Sequence, residues 1–261
     1  MQPTSIAEVF SSPITVLVGH AGVGKTNIAL GLALSLAHEG FEVTLADLDV
    51  VNPYFRSSDY PELLEQANIR LIAPVLARTT LDTPSLTGEL DAVIGQVAAS
   101  EGKRLVIDVG GDDDGATTIG RWARLLKSAG AQLLYVVSAY RSLTLAPEDA
   151  AALVPDIEWH AHLSASAVLN ASNLGDETNL SHVRHGRQFA ARTAELLGLP
   201  LAATVVPLAA AIREGYAADD PLVHKLATIA PQTVTEALID GTSDPEPMVL
   251  MPRLVRTPWD S

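Results

Sequence analysis

The amino-acid sequence predicts an α/β fold, a doubly wound and mainly parallel β-sheet flanked by helices. Short β-branched or apolar runs alternate with longer helical patterns, as in βαβ units. Their spacing leaves room for a crossover helix between most of the runs. With 48% hydrophobic and 18% charged residues among 261, the chain can bury a core that needs neither disulfides nor a structural metal.

The elements can be placed in chain order. Strands are expected near residues 14–18, 42–47, 70–72, 104–108, 132–138, 166–170 and 202–206. The helix expected after the first strand, Lys25–His38, has an apolar arc too wide for a surface helix and should be buried, ending at Gly40. Later helices are expected at 84–99, 117–128, 147–153, 180–197 and 221–238. Residues 1–240 should form one domain, and residues 241–261, which contain four prolines, a tail packed on it.

Charge and composition exclude several classes of function. The chain has 17 Lys and Arg against 31 Asp and Glu, a formal charge of −14 that repels nucleic acids and anionic membranes. It has no cysteine, which excludes thiolate metal sites and cysteine nucleophiles. No apolar run reaches the roughly 18 residues of a membrane span, and the first residues lack a secretory apolar core. A cytoplasmic protein without a nucleic-acid or membrane partner is therefore expected.

The strongest motif is a phosphate-binding loop. It reads Gly19-His20-Ala21-Gly22-Val23-Gly24-Lys25-Thr26, with Asn27 next, and it lies directly between an apolar strand and a helix. The glycines let successive N–H groups converge at a helix N-terminus, Lys25 can reach the outer phosphates, and Thr26 offers a hydroxyl to Mg²⁺. An ordinary glycine-rich turn would not explain a lysine at a helix N-terminus, where the helix dipole disfavours it.

Acidic residues end two of the predicted strands. In Ala46-Asp47-Leu48-Asp49 the alternation of a strand puts both carboxylates on one side. The apolar run Leu105-Val106-Ile107 ends in Asp108, and Gly110 and Gly111 follow. In a phosphate-loop protein, an acid at such a strand end commonly holds the magnesium shell, and a following glycine N–H can meet the γ-phosphate. The sequence therefore predicts a nucleotide–magnesium site at the carboxyl ends of these strands.

These segments resemble the MinD/ParA-like ATPases with a deviant phosphate loop. The matching pieces are GHAGVGKT, DLD, DVGG, VLNASN and VVPL, from Gly19 to about Gly215. The resemblance implies ATP and ADP binding with Mg²⁺, slow hydrolysis, and often an ATP-bound homodimer. It places Asp47 near magnesium and implies that Asp49 orients the attacking water, although the two roles could be exchanged. It assigns adenine binding to Asn170 and to the loop that begins at Val206 and Pro207.

Several sequence features differ from those of the family, and they narrow the range of possible functions. His20 occupies the position of the family lysine that reaches the partner's phosphates, which puts cross-subunit activation in doubt. The missing cysteines exclude the branches that depend on them, and the negative charge argues against DNA partitioning. No N-K-x-D segment is present, so ATP is favoured over GTP. The segment Asp-x-Asp-x-x-Asn-Pro-Tyr-Phe resembles one subgroup of the family without indicating its task.

The sequence thus predicts a Mg²⁺-dependent ATPase that acts as a nucleotide switch. Lys25, Asp47 and Asp49 are its expected catalytic residues, and Thr26, Asp47 and Asp108 its expected metal ligands. The aromatic residues and arginine at 52–56 are expected to form a loop that contacts a protein partner. Two alternatives stay open, an ATP-dependent ligase or kinase acting on a small acid, and a nucleotide-binding scaffold that does not hydrolyse.

Overall fold

The fold is built on one β-sheet. The structure, a computed structural model, describes residues 6–49, 56–73, 83–111, 113–213, 232–234 and 247–255. Nine strands in this part of the chain form the sheet: β1 (Ile14–Val18), β2 (Glu42–Leu48), β3 (Arg70–Ile72), β4 (Lys103–Val109), β5 (Gln132–Val137), β6 (Ala167–Asn170), β7 (Leu201–Pro207), β8 (Gln232–Val234) and β9 (Met248–Met251). Their order is β3-β2-β4-β1-β5-β6-β7-β9-β8, and every pair is parallel except β8 with β9. The predicted fold class is confirmed.

Helices cover both faces of the sheet. The described helices are α1 (Ile6–Val9), α2 (Lys25–His38), α3 (Pro61–Gln66), α4 (Thr83–Ala98), α5 (Asp113–Gly120), α6 (Ala123–Ser128), α7 (Pro147–Ala161), α8 (Leu180–Leu197) and α9 (Leu208–Arg213). The cluster on one face joins strand residues to α4 through α8, and the cluster on the other joins them to α2, α3 and Phe10. In β1, Val16 lies in the first cluster and Leu17 in the second, as the alternation of a strand requires.

Helix α2 is the most deeply packed element beside the sheet. All its residues from Ile28 to Leu36 are buried, which confirms the prediction made from its wide apolar arc. Because α2 begins directly after the glycine-rich loop, this packing fixes where the loop lies relative to the carboxyl ends of β1 and β4. The core therefore positions the candidate site.

Two helix predictions were wrong in extent. The helix expected at 117–128 is two helices, α5 and α6, because Trp122 turns into the core and its indole Nε1 donates to Asp91 Oδ1 at 2.7 Å. At the break, a Cβ on Gly120 would lie 2.5 Å from the carbonyl oxygen of His160, so α5 approaches α7 closely there. The helix expected at 147–153 continues through Pro155 to Ala161. Pro155 lacks the N–H of a helix hydrogen bond, and Val154 and Ala161 on either side of it are buried in the core.

The C-terminal part of the chain also differs from expectation. The helix predicted at 221–238 is contradicted at Gln232–Val234, which form β8, and the rest of that range lies outside the described residues. Within the predicted tail, Met248–Met251 form β9, which pairs in parallel with β7 and extends the sheet. The domain boundary at 240/241 stays a prediction. None of the helices described is long and apolar enough to cross a membrane.

Candidate functional site

The glycine-rich loop leaves the N-terminus of α2 open. Gly22 and Gly24 have φ values of 76° and 99°, a left-handed conformation that favours glycine. Gly24 is the N-cap of α2, and no side chain caps the helix there. The N-cap residue itself therefore offers no side-chain acceptor to the first turn of α2, and the N-terminal end of a helix favours anions.

Close backbone packing holds the loop in place. A Cβ on Gly19 would lie 2.4 Å from the carbonyl oxygen of Val136 in β5, so no larger residue fits there. A Cβ on Gly111, just after β4, would lie 2.5 Å from the Cα and N atoms of Ala21. The segment that follows β4 thus lies directly against the loop, where Gly111 was predicted.

Lys25 is bound to the loop itself. Its Nζ donates to the carbonyl oxygens of Gly19 at 2.9 Å and His20 at 3.2 Å. The residue is only 6% exposed, although a lysine is rarely buried unless it is paired. Lys25 is therefore a buried cation held at the loop, not a solvated surface residue.

Acidic residues lie beneath the loop. Strands β2 and β4 pair with Asp47 directly opposite Asp108, and both residues are buried. The backbone N–H of Asp49 donates to Asp47 Oδ1 at 3.1 Å, and Asp49 lines the cavity described below, whereas Asp47 and Asp108 lie deeper. The two predicted strand ends therefore meet, with their carboxylates at different depths.

Asp108 is the most perturbed of these acids. Burial and the neighbouring Asp47 raise its pKa from 3.8 to about 7, against the opposing effects of Lys25 and of hydrogen bonds from Thr26 and Ser57. The Ser57 hydroxyl donates to Asp108 Oδ2 at 3.0 Å. Two buried carboxylates beside a lysine and two hydroxyls form a set of hard oxygen atoms that would favour a cation.

A cavity of about 520 Å³ opens beside the loop. Its walls are formed by the phosphate loop and the first turn of α2, by the ends of β2, β4, β6 and β7, and by the C-terminal segment. The lining residues are Ala21, Gly22, Gly24, Lys25, Thr26, Asn27, Ile28, Asp49, Gly111, Arg141, Ala171, Asn173, Gly175, Asp176, Val205, Pro207, Leu208, Ala209, Met251, Pro252, Arg253 and Val255. A volume of this size is typical of small-molecule sites.

Some of the predicted binding residues lie away from this cavity. Asn170, at the end of β6, is fully buried, and its Nδ2 and Oδ1 bond to Thr204 Oγ1 at 3.4 Å and the Ser172 N–H at 3.1 Å. Asn173, three residues later, lines the cavity instead. Val206 is buried in a small cluster with Val183, whereas Pro207 reaches the cavity. The assignment of adenine binding to Asn170 stays a prediction.

The remaining loop residues have distinct positions. Gly19, His20 and Val23 do not line the cavity; Gly19 and Val23 are buried, and the Nδ1 of half-buried His20 lies 2.9 Å from the carbonyl oxygen of Ala21. Asn27 lines the cavity, but its side chain is bound to the C-terminal segment. Its Nδ2 donates to the Pro252 oxygen at 3.1 Å, and its Oδ1 accepts from the N–H groups of Leu254 and Val255 at 2.7 and 3.1 Å.

The sequence analysis missed two parts of the site. The first is Arg141, which follows β5 and reaches the phosphate loop; the strand-end rule that found Asp108 could have found it too. The second is the segment from Met251 to Val255, where Arg253 Nη1 also lies 3.4 Å from Asp176 Oδ2. The apolar run Met248–Met251, bounded by prolines, was the only local signal for it.

The expected partner loop is described only at its last residue. Residues 52–55 lie outside the described part of the chain. Arg56 is 6% exposed, and its backbone N–H donates to Asp59 Oδ2 at 3.0 Å. The assignment of residues 52–56 to a partner-binding loop stays a prediction.

Similarity to known proteins is found over one segment of the sequence and to solved structures of low identity. A family model described as ParA, NUBPL iron-transfer P-loop NTPase, matches residues 10–91, less than a third of the chain. Similar solved structures include FtsY from Mycoplasma mycoides, with 19% identity and a TM-score of 0.49, and signal recognition particle 54 kDa protein from Aeropyrum pernix in complex with GDP, with 17% identity and a TM-score of 0.48. Each covers 73% of this chain, which spans 58% and 40% of their lengths. A search of curated proteins found no match.

The fold and the loop define the class of the protein. A parallel sheet whose first strand leads through a complete G-x-x-x-x-G-K-[ST] loop into a buried helix is the architecture of a P-loop NTPase. The family match covers the segment that carries this loop. The chain thus has the fold and the phosphate loop of a P-loop NTPase, and the matched segment, residues 10–91, is similar to ParA.

Proposed function

We propose that the protein binds ATP with Mg²⁺, hydrolyses it slowly, and uses the two nucleotide states as a switch for a protein partner. One observation carries the proposal: the cavity joins an open phosphate loop, with Lys25 and Thr26, to Asp49 and to the buried acids below it. Phosphates would occupy the loop side of the cavity. The base and ribose would occupy the side formed by Asn173, Pro207 and the C-terminal segment.

The residues would divide the chemistry as follows. Lys25 exchanges the two loop carbonyls for phosphate oxygens and stabilises the charge of the transferred phosphoryl group. Asp49, the acid at the cavity wall, orients the attacking water. Gly111, packed against Ala21, offers its N–H to the γ-phosphate. Their positions at one end of the sheet support these roles.

The donor atoms fit magnesium. Thr26 and Ser57 offer hydroxyls to Asp108, and Asp47 lies opposite it in the sheet. Among the described residues, no group of three or more His, Cys, Asp or Glu side chains could hold a metal on its own. This fits Mg²⁺, which usually binds through one or two carboxylates together with substrate phosphates and water. Thr26, Asp47 and Asp108 would hold the ion directly or through water, and it would neutralise charge on the phosphates.

ATP is the proposed nucleotide because no N-K-x-D segment follows β6. Titration calorimetry with ATP, ADP and GTP, each in Mg²⁺ and in EDTA, tests this choice. We expect ATP and ADP to bind in Mg²⁺, GTP to bind at least about tenfold more weakly, and EDTA to weaken ATP binding. Tighter binding of GTP than ATP would overturn the choice of base, and no binding of any nucleotide would overturn the function.

Single-turnover product analysis separates hydrolysis from the alternatives. We expect free phosphate from ATP and the protein alone. Phosphate that appears only when a small carboxylic acid is added would identify a ligase or kinase. ATP that stays bound and uncleaved would identify a scaffold.

A further inference from the structure

Arg141 lies at the mouth of the phosphate loop. It follows β5, the strand next to β1, and so reaches the same edge of the sheet as the loop. Its Nε donates to the carbonyl oxygen of Gly22 at 2.5 Å, and its Nη1 to that of Tyr140 at 3.4 Å. It lines the same cavity as Lys25 and Thr26.

The charge of Arg141 is not neutralised by the described residues. The side chain is half-buried, and burial lowers the pKa of its guanidinium, with no carboxylate acting against this effect. In the described part of the chain Arg141 forms no salt bridge, although Asp and Glu exceed Lys and Arg by 14 in the sequence. A guanidinium stays charged at any ordinary pH, so this cation needs an anion.

Its hydrogen bonds leave donors for such an anion. A guanidinium carries five N–H groups in one plane, and the contacts with Gly22 and Tyr140 use two of them. The remaining groups can form paired, charge-assisted bonds to phosphate oxygens. The hydrogen bond from Arg141 to Gly22 also occupies a carbonyl oxygen that would otherwise repel phosphate.

We propose that Arg141 binds the phosphates of the nucleotide and supplies, from within the same chain, a second positive charge beside Lys25. This inference rests on the proposed function. Without nucleotide, Arg141 supports the loop through its hydrogen bond to Gly22. With nucleotide bound, it would also bind phosphate, and Nε would keep the hydrogen bond to Gly22.

The competing explanation is that Arg141 only braces Gly22. A brace would affect every ligand of the cavity to the same degree, whereas a phosphate ligand acts in proportion to phosphate charge. The number of phosphates on the ligand therefore separates the two roles.

The test compares Arg141→Gln and Arg141→Lys with Arg124→Gln, which removes the same charge from an exposed position on α6. Calorimetry in Mg²⁺ would give Kd for ATP, ADP, AMP and adenosine. For Arg141→Gln we expect about tenfold or greater weakening for ATP, less for ADP, and none beyond about twofold for adenosine. Arg141→Lys should recover only part of the ATP affinity. It keeps the positive charge but loses the planar donor pair of the guanidinium. Arg124→Gln should match the wild type.

Two results would overturn the inference. One is an unchanged ATP affinity in Arg141→Gln, and the other is an equal loss for ATP and adenosine. If Arg141→Gln shows no cooperative thermal transition without nucleotide, the test uses Arg141→Lys instead. The loss of ATP affinity in Arg141→Lys is then compared with its loss of adenosine affinity. Failure of the wild type to bind any nucleotide would instead be a failure of the proposed function.

Discussion

At the scale of single residues, Lys25 combines a structural and a functional role. A lysine in a loop is usually exposed, where its removal changes the fold little. In the structure Lys25 is buried, and its loss leaves the carbonyl oxygens of Gly19 and His20 without this donor. Such a loss costs about 1–3 kcal/mol when the groups stay buried.

We therefore predict that Lys25→Ala loses measurable Mg-ATP affinity and also unfolds at a lower temperature. Lys127→Ala, an exposed lysine on α6, is the control and should change neither property. Calorimetry with ATP and thermal unfolding without it would measure the two effects. Unchanged ATP affinity in Lys25→Ala would contradict the assignment of the loop.

The two acids at the end of β2 should differ in effect. Asp49 lines the cavity and Asp47 is buried opposite Asp108, so Asp49→Asn should keep ATP binding and lose most phosphate release. Asp47→Asn should instead weaken the response of ATP binding to Mg²⁺. Single-turnover phosphate release and calorimetry over a range of Mg²⁺ would separate them. The reverse pattern would exchange the roles, and no effect from either change would remove Asp47 and Asp49 from the mechanism.

Asp108 should make the stability of the empty protein depend on pH. Its pKa is about 7 in the folded state and near its ordinary 3.8 when unfolded. Between about pH 4 and pH 7 the folded state holds a proton that the unfolded state has released. The free energy of unfolding should therefore fall as pH rises through this window and level off, as far as Asp108 is concerned, above pH 7.

The measurement is thermal unfolding at pH 5.5 and pH 8 without nucleotide or Mg²⁺. We expect Asp108→Asn, which cannot ionise, to lose this part of the pH dependence and to be more stable than the wild type at pH 8. Asp156→Asn, which removes an exposed carboxylate from α7, is the matched control. Equal pH dependence in wild type and Asp108→Asn would show that Asp108 does not hold its proton.

At the scale of elements, the C-terminal segment joins the sheet to the site. Strand β9 pairs with β7, and Met251 packs within 3.0 Å of where a Cβ on Gly31 of α2 would lie. Beyond it, Asn27 binds the backbone at Pro252, Leu254 and Val255. A side chain one residue after the phosphate loop thus holds one wall of the cavity.

We predict that Asn27→Ala loosens this wall without disrupting the sheet. The amides of Leu254 and Val255 lose their acceptor, so their hydrogen exchange should speed up by at least about tenfold while the amides within β9 change little. ATP affinity should fall because Pro252, Arg253 and Val255 line the cavity. Gln96→Ala, exposed on α4, is the control. Unchanged exchange at Leu254 and Val255 would contradict the role of Asn27.

At the scale of the whole molecule, charge opposes an ATP-bridged dimer. The chain carries a formal charge of −14. The Nδ1 of His20, where the sequence resemblance would place a lysine, lies 2.9 Å from the carbonyl oxygen of its neighbour Ala21. A second copy facing the site would bring further phosphate and acidic groups close together. Like charges at that distance repel unless cations lie between them.

We therefore predict a monomer, or a weakly associating dimer, in Mg-ATP at pH 7.5. Light scattering with and without ATP would measure it for the wild type, His20→Lys and His20→Ala. His20→Lys should raise the ATP-dependent dimer fraction, and His20→Ala should behave like the wild type. A tight ATP-dependent dimer that survives His20→Ala would show that another cation bridges the subunits.

The sequence by itself determined the local parts of the protein. The phosphate loop, strands β1 and β3 and helices α2 and α8 were predicted with the bounds they have in the structure, because glycine conformation and apolar periodicity act between near neighbours. The strand-end acids were found by the same local rules. Asp108 and Asp47 then lie opposite each other because β4 pairs with β2.

Only the tertiary structure decided the order of the strands, the burial of Asn170, the reach of Arg141 to Gly22 and the insertion of β9 beside β7. Arg141 and Gly22 are 119 residues apart, and Asn27 and Leu254 are 227 apart. No local pattern specifies such contacts, since they depend on which strands pair and which loops then meet at one edge. The loop that is proposed to hold phosphate could be predicted from its own segment, whereas the walls that enclose the cavity depend on the assembled sheet.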